Sequence, residues 1–355
     1  MALFKDLPKA MKVVMAVLAA VILCEAVFVL TKGTAKKAES MKALKVEGLT
    51  LCADGEPVTF KGVSLGWHNL WPRFYNSATV KSLHDDWGVD IFRAAIGADG
   101  HAKADNPGSL DGYIGDPQTA LKCAYKVIDA AIQSKAYVIV DWHSHVLHPD
   151  EAAEFFGKIA SRYAGVPNVI YELFNEPVSR AFEENHSYSD LGDQEAMAAY
   201  WSELKEYAEK LIKVITDADP SHPLVLMGNP CWDQRPDLVA ANPVNYDNIM
   251  YTVHFYAATH KGELRAVADS ALAAGVPLFI SECASCESSG NGVIDEDSWK
   301  EWNEWASARN ISMLCWSISD KDETCSMFRP EAASAGPWEE SVIKPWGLSV
   351  KEWLK

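Results

Sequence analysis

Val169-Ile170-Tyr171-Glu172-Leu173-Phe174-Asn175-Glu176-Pro177 is a short β-rich apolar run that ends abruptly in an amide, a carboxylate and a proline. The run is too apolar for a surface strand, so Glu176 should emerge from a core into a mouth. The same pattern recurs on both sides of it. Strands are expected over residues 58–64, 89–95, 136–141, 168–174, 223–227, 249–254, 276–281 and 311–316. Amphipathic periodicity predicts helices near 77–86, 117–134, 150–163, 193–217, 235–240, 262–274, 295–308 and 343–354. Eight strands, each followed by a helix, predict an α/β protein built as a (β/α)8 TIM barrel. Val46–Leu51 and Pro57–Leu65 flank Asp54-Gly55 and predict an N-terminal β-hairpin cap. An open doubly wound sheet fits less well, because no G-x-G-x-x-G follows an early strand.

A barrel of this kind carries its function at the C-terminal ends of its strands. Polar residues fall there: Arg93, Asp141-Trp142-His143-Ser144-His145, Asn175-Glu176, His254-Phe255-Tyr256, Ser281-Glu282 and Trp316-Ser317. Most glutamates are surface or ion-paired, but Glu176 and Glu282 each follow a run that belongs in a core. Paired carboxyls facing each other across a barrel mouth suit glycoside hydrolysis. With a separation of roughly 5–5.5 Å, one protonates the leaving oxygen while the other attacks the anomeric carbon with net retention.

Composition bounds the partner. The chain has 355 residues, 48% of them hydrophobic, and a formal charge of −17. A surface this acidic would repel a phosphate backbone, so no nucleic-acid partner is expected. Lysines bracket an apolar run over residues 13–30, which reads as a signal peptide or a membrane anchor. Residues 1–45 therefore form a leader with a short spacer, and residues 46–355 one catalytic domain. Without the leader the charge is −22, which suits an extracytoplasmic domain with a neutral ligand: secreted, periplasmic or anchored to a membrane. Seven of the eight Cys lie beyond the leader; Cys283 with Cys286 and Cys315 with Cys325 are either bridges or free buried thiols. The 13 Trp serve either as core volume or as flat platforms.

Taken together, the motifs resemble those of the glycoside hydrolase family 5 cellulases, in their bacterial endoglucanase branch. Leu173–Pro177 is similar to that family's acid/base motif and Ile280-Ser281-Glu282 to its nucleophile strand. Gly62–Asn69, Val138–His143, Tyr251–His260 and Trp316–Lys321 resemble the branch in order along the chain. The resemblance implies Glu176 as acid/base and Glu282 as nucleophile. Arg93 would hold Glu282 ionised, Tyr256 would hydrogen-bond it, His254 would support Glu176, and Asn175 would donate to the sugar 2-hydroxyl. His68 and His143 would bind sugar hydroxyls or hold the network. Trp316, Trp71 and Trp232 would be sugar platforms, with Asn69, Gln234, Lys321 and Glu323 at hydroxyl edges. The helical Trp201, Trp299, Trp302, Trp305 and Trp353 read as packing. Cys283-Ala284 departs from the family, where an aromatic or bulky residue and then Gly often follow the nucleophile.

The expectation is a monomeric, cofactor-free, metal-free retaining endo-β-1,4-glucanase acting on a β-linked polysaccharide or oligosaccharide. The alternatives are the same mechanism on mannan, xylan, xyloglucan or mixed-linkage β-glucan, and a non-catalytic glycan-binding barrel. A metal-dependent hydrolase using Asp141, His143 and His145 fits less well, because no further ligand set is evident.

Overall fold

The computed structural model describes residues 41–100 and 108–355. The apolar run at 13–30 lies outside these residues. Among the described residues, no helix is long and apolar enough to cross a membrane.

Eight parallel strands close into a barrel: β4 (Lys61–Leu65), β5 (Ile91–Gly97), β6 (Tyr137–His143), β7 (Val169–Glu172), β8 (Val225–Met227), β9 (Ile249–Tyr256), β10 (Leu278–Ala284) and β11 (Met313–Ile318). They neighbour one another in chain order, and β11 pairs with β4 to close the ring. Alternation along each strand divides the side chains. Phe92, Ala94, Val138, Val140, Val169 and Tyr171 join the hydrophobic layer beneath the helices. The intervening Arg93, Asp141 and Glu172 belong to the barrel's inner face, as a period of two demands.

The principal helices are α1 (Ser77–Trp87), α2 (Pro117–Ser134), α3 (Pro149–Tyr163), α4 (Arg180–Asn185), α5 (Gln194–Ala218), α6 (Gly262–Ala273), α7 (Glu296–Ser307) and α8 (Pro345–Trp353). Their starts follow capping chemistry: Asn76, Asp116, Ser179, Asp193 and Asp295 each accept a hydrogen bond from a first-turn amide. Two expectations change in detail. The segment near 235–240 is a 3-10 turn over Pro236–Ala241, and α4 is an additional helix before α5.

The N-terminal cap is a three-stranded antiparallel meander, β1 (Leu44–Glu47), β2 (Thr50–Ala53) and β3 (Glu56–Pro57), rather than one hairpin. Asp54-Gly55 does make a turn, but Gly48, at φ 63°, makes an earlier one, so 46–51 folds back on itself. The 57–65 run splits between β3 and barrel strand β4. Asn248, immediately before β9, accepts from the Val46 amide at 2.9 Å and donates to the Leu44 carbonyl at 3.1 Å. The meander is thus tied to the N-terminal ends of the barrel strands, opposite the polar strand ends.

Candidate active site

At the C-terminal mouth, Glu176 and Glu282 each place a carboxylate oxygen within 4.8 Å of the other and of a His254 nitrogen. Glu176 follows the end of β7, in a turn that packs tightly on β8. A Cβ on Gly228 would lie 2.5 Å from the Phe174 carbonyl oxygen and 2.7 Å from Pro177 Cδ, so only glycine permits that approach. Glu282 lies within β10, opposite His254 on β9.

Arg93 is fully buried and organises the floor. Its Nη1 donates to Glu282 at 3.0 Å, Nε and Nη2 donate to Glu172 at 2.7 and 3.1 Å, and Nη2 also reaches Asn175 Oδ1 at 2.6 Å and Asp141 at 3.0 Å. Holding the Asn175 oxygen leaves that amide's Nδ2 as its remaining donor. Tyr256 OH donates to the other oxygen of Glu282 at 2.7 Å.

A second chain of contacts ends at Glu176. Ser281 Oγ donates to Glu172 at 2.7 Å, so it can only accept from His254 Nε2, 2.9 Å away. Asp233 Oδ2 lies 3.3 Å from the same nitrogen. The proton of neutral His254 is thereby fixed on Nε2, and Nδ1, 3.0 Å from Glu176 Oε1, faces that carboxyl as an acceptor. Burial lowers the His254 pKa to about 4, which keeps the ring neutral. Burial raises the Glu176 carboxyl, against the charges of His145 and Arg93. It raises Glu282 too, and the charge of Glu176 adds to this, while His254, Arg93 and the Tyr256 hydroxyl oppose it.

A cavity of about 280 Å³ contains the pair. Its walls include Trp67, Trp71, His143, His145, Asn175, Tyr256, Trp316, Lys321 and Glu323. Trp316 stacks on His143 with centroids 5.2 Å apart and planes within 3°. Lys321 and Glu323 are ion-paired. A neighbouring cavity of about 620 Å³ is lined by Glu176, His254 and Tyr256 together with Trp232, Gln234 and His260. Trp232 is presented by a turn, Pro230–Asp233, in which Cys231, Trp232 and Asp233 have φ of 60°, 55° and 61°. Left-handed backbone costs such residues about 1–2 kcal/mol each. The turn is held by amides of Cys231 and Trp232 donating to the Val178 and Pro177 carbonyls, both at 2.9 Å.

Thirteen of the fifteen expected site residues therefore line one of the two cavities or, as Arg93 does, their floor. His68 and Asn69 do not: both are buried and line neither cavity. His68 Nδ1 accepts from the Gly97 amide at 3.0 Å, and burial lowers its pKa to about 3. Asn69 donates to the Asp99 carbonyl at 3.2 Å. Sequence reasoning assigned no role to Trp67, Glu172, Asp233 or Ser281; for Glu172 the signal was alternation, which puts it on the same inner face as Ile170. Asp141 and His143 are bonded to each other at 2.6 Å beside the Arg93 guanidinium, which disfavours a cation there. Glu176, His254 and Glu282 offer three donors to an ion, but Arg93 already neutralises Glu282. The described cysteines are free, with Cys283 beside Cys315 and Cys286 beside Cys325, a different pairing from the one sequence proximity suggested.

A model of the cellulases described as glycosyl hydrolase family 5 matches residues 51–322. The chain belongs to glycosyl hydrolase family 5. Among its relatives, Endoglucanase Z of Dickeya dadantii (strain 3937) is 34% identical over 315 residues, covering 86% of this chain and 67% of that protein. An endoglucanase of Clostridium saccharobutylicum is 33% identical, covering 87% of this chain. The chain spans only 64% of that second relative's length. The catalytic domain of Thermobifida fusca endoglucanase Cel5A superposes with a TM-score of 0.75 at 29% identity, covering 88% of this chain and 97% of that one. A variant of that catalytic domain, with one glutamate replaced by glutamine, has also been solved in complex with cellotetraose.

Proposed function

We propose that this family 5 member is a retaining endo-β-1,4-glucanase that hydrolyses internal bonds of a cellulose-like β-glucan by double displacement. The observation that carries the reading is the approach of Glu176 and Glu282 to within 4.8 Å across the mouth. Such a gap suits direct attack, with carboxyls roughly 5–5.5 Å apart, and leaves no room for the water that needs roughly 6.5–9.5 Å in inverting enzymes. Glu282 has the groups that favour an anion, a guanidinium and a phenol. Glu176 faces an acceptor nitrogen, so a single proton shared by the pair resides on Glu176.

In the first step Glu176 delivers that proton to the glycosidic oxygen as Glu282 attacks the anomeric carbon, forming a glycosyl ester and releasing the leaving sugar. Ester formation removes the charge from Glu282, and Glu176, now a carboxylate, takes a proton from the water that cleaves the ester. The names of the relatives and the cellotetraose complex of Cel5A support a β-1,4-glucan as substrate. In this reading residues 46–355 are the catalytic domain, exported or membrane-anchored through residues 13–30.

The test is hydrolysis of soluble β-1,4-glucan, mixed-linkage glucan, mannan and xylan by the 355-residue chain, alongside Glu176→Gln and Glu282→Gln, with the anomer of the first product followed by NMR. The reading predicts preference for β-1,4-glucan, retention, and loss of activity in both variants. Full activity in either variant, or inversion, would overturn the mechanism; preference for mannan or xylan would overturn the substrate.

A further inference from the structure

Between β7 and α5 the chain makes an excursion that the repeating strand and helix do not require. Ser179 opens α4 by accepting from the Phe182 amide, and the chain then turns through His186 and Tyr188 before Asp193 caps α5. This excursion is firmly held. Both oxygens of the Glu183 carboxylate accept from the Leu147 amide, at 3.1 and 2.9 Å, and one also accepts from Tyr200 OH at 2.7 Å. Asp190 accepts from the Ala181 amide at 2.9 Å, closing the loop on itself.

On this scaffold stands Tyr188, 56% exposed and thus an unusual position for a large aromatic side chain. Its ring is stacked on Phe182, with centroids 5.6 Å apart and planes 24° apart, and it meets Trp232 at 5.7 Å and 40°. The three rings form a continuous aromatic surface that begins in the cavity at Trp232 and continues outward onto Tyr188.

The chemistry fixes which end of the substrate this surface would meet. The cavity containing Trp232 is lined by Glu176 but not by Glu282. The acid protonates the leaving-group oxygen, so sugar beyond Glu176 and away from the nucleophile is the departing part of the chain. A pyranose offers flat C–H faces to an aromatic ring, and the 5.7 Å between the Trp232 and Tyr188 centroids is close to the length of one sugar unit.

We propose that Tyr188, backed by Phe182, forms an additional leaving-side subsite for a neutral β-linked glucan chain, binding the sugar unit beyond the one at Trp232. The assignment rests on the endoglucanase reading of Glu176 and Glu282. The subsite acts on substrates long enough to extend past Trp232 and favours cleavage with several units on the leaving side.

The experiment compares kcat/KM for cellohexaose with kcat/KM for an aryl β-cellobioside, whose leaving group is a single phenol. In Tyr188→Ala the ratio of the two should fall by roughly threefold to tenfold, in line with the loss of one aromatic stacking partner. In Tyr188→Phe, which keeps the ring, the ratio should stay within about twofold of the parent. The cleavage position on cellohexaose should also move toward shorter leaving fragments in Tyr188→Ala. An unchanged ratio in Tyr188→Ala, including one in which both substrates slow equally because the excursion has collapsed, would overturn the subsite. An equal fall in Tyr188→Phe would overturn stacking as its basis. Failure of the parent chain to cleave either substrate would instead overturn the endoglucanase reading.

Discussion

Nδ1 of His254 lies 3.0 Å from Oε1 of Glu176 and accepts from it, because the ring proton is held on Nε2 by Ser281 and Asp233. An acceptor at this place stabilises the protonated carboxyl, which is the form a general acid needs. In His254→Ala the acceptor is gone and water enters, so both effects lower the Glu176 pKa. The alkaline limb of the kcat/KM profile should move to lower pH, with a loss at neutral pH on the order of 10- to 100-fold, at or below the lower end of the 10²–10⁴-fold range of general acid catalysis because the acid itself remains. An alkaline limb that stays in place would exclude this role for His254.

Tyr256→Phe acts on the opposite limb. The phenol donates to Glu282 at 2.7 Å and is one of the groups opposing the upward shift that burial and Glu176 impose. Glu282 must be ionised to attack, so losing the donor raises its pKa and moves the acid limb to higher pH. A hydrogen bond to a charged group contributes about 1.5–3 kcal/mol, so kcat/KM should fall by about tenfold or more. An unchanged circular dichroism spectrum would show that the fold is retained. Movement of the alkaline limb alone would contradict the assignment.

Arg93 connects stability to activity. One buried guanidinium serves Asp141, Glu172 and Glu282, with two donors spent on Glu172 alone. Lysine keeps the charge but lacks the planar fork, so Arg93→Lys leaves at least one buried carboxylate poorly paired. Breaking a buried pair costs about 3–5 kcal/mol, and a loss of about 3 kcal/mol is expected here. It would be read as a lowered urea midpoint at constant m-value, together with a large fall in kcat. A midpoint shift corresponding to less than about 1 kcal/mol would mean that the acids repartner without the guanidinium.

These predictions draw on residues that differed greatly in legibility. Glu176 and Glu282 stood out because each ends an apolar run that could only be core, and the end of such a run is a property of local sequence. Glu172 and Asp233 were missed for the opposite reason. Glu172 sits inside the apolar run 169–174 and Asp233 in a left-handed turn, and a carboxylate there looks ordinary until its neighbours on other strands are known. His68 and Asn69 follow the first barrel strand in sequence, which fixes the end of the barrel but not exposure to its cavity; hydrogen bonds to the backbone of Gly97 and Asp99 hold them buried. The helical tryptophans were readable from periodicity. Trp201, Trp302 and Trp305 are buried, and each donates its indole N–H within the fold. The Tyr188 surface was not readable, since it depends on how the excursion after β7 folds over the Trp232 turn.

His260 offers a test of how burial couples the fold to pH. Its Nδ1 accepts from the Tyr256 amide at 2.9 Å, and burial lowers its pKa to about 4, against about 6.5 for an unfolded histidine. Between those values the unfolded chain binds a proton that the folded chain does not, so stability rises with pH and is lost as pH falls from about 6.5 toward 4. One such group contributes a slope of about 1.4 kcal/mol per pH unit within the window. His68 and His254, lowered to about 3 and about 4, act in the same direction, while the raised carboxyls of Glu176 and Asp233 act against them. The net slope therefore mixes several groups, but its change on substitution isolates one. In His260→Asn the amide oxygen can still accept from Tyr256 and cannot titrate. Unfolding free energies measured by urea between pH 4.5 and 6 should depend on pH less steeply by about one proton than in the parent. An identical slope would mean that the His260 imidazole takes up its proton equally in both states, and that burial does not hold it neutral.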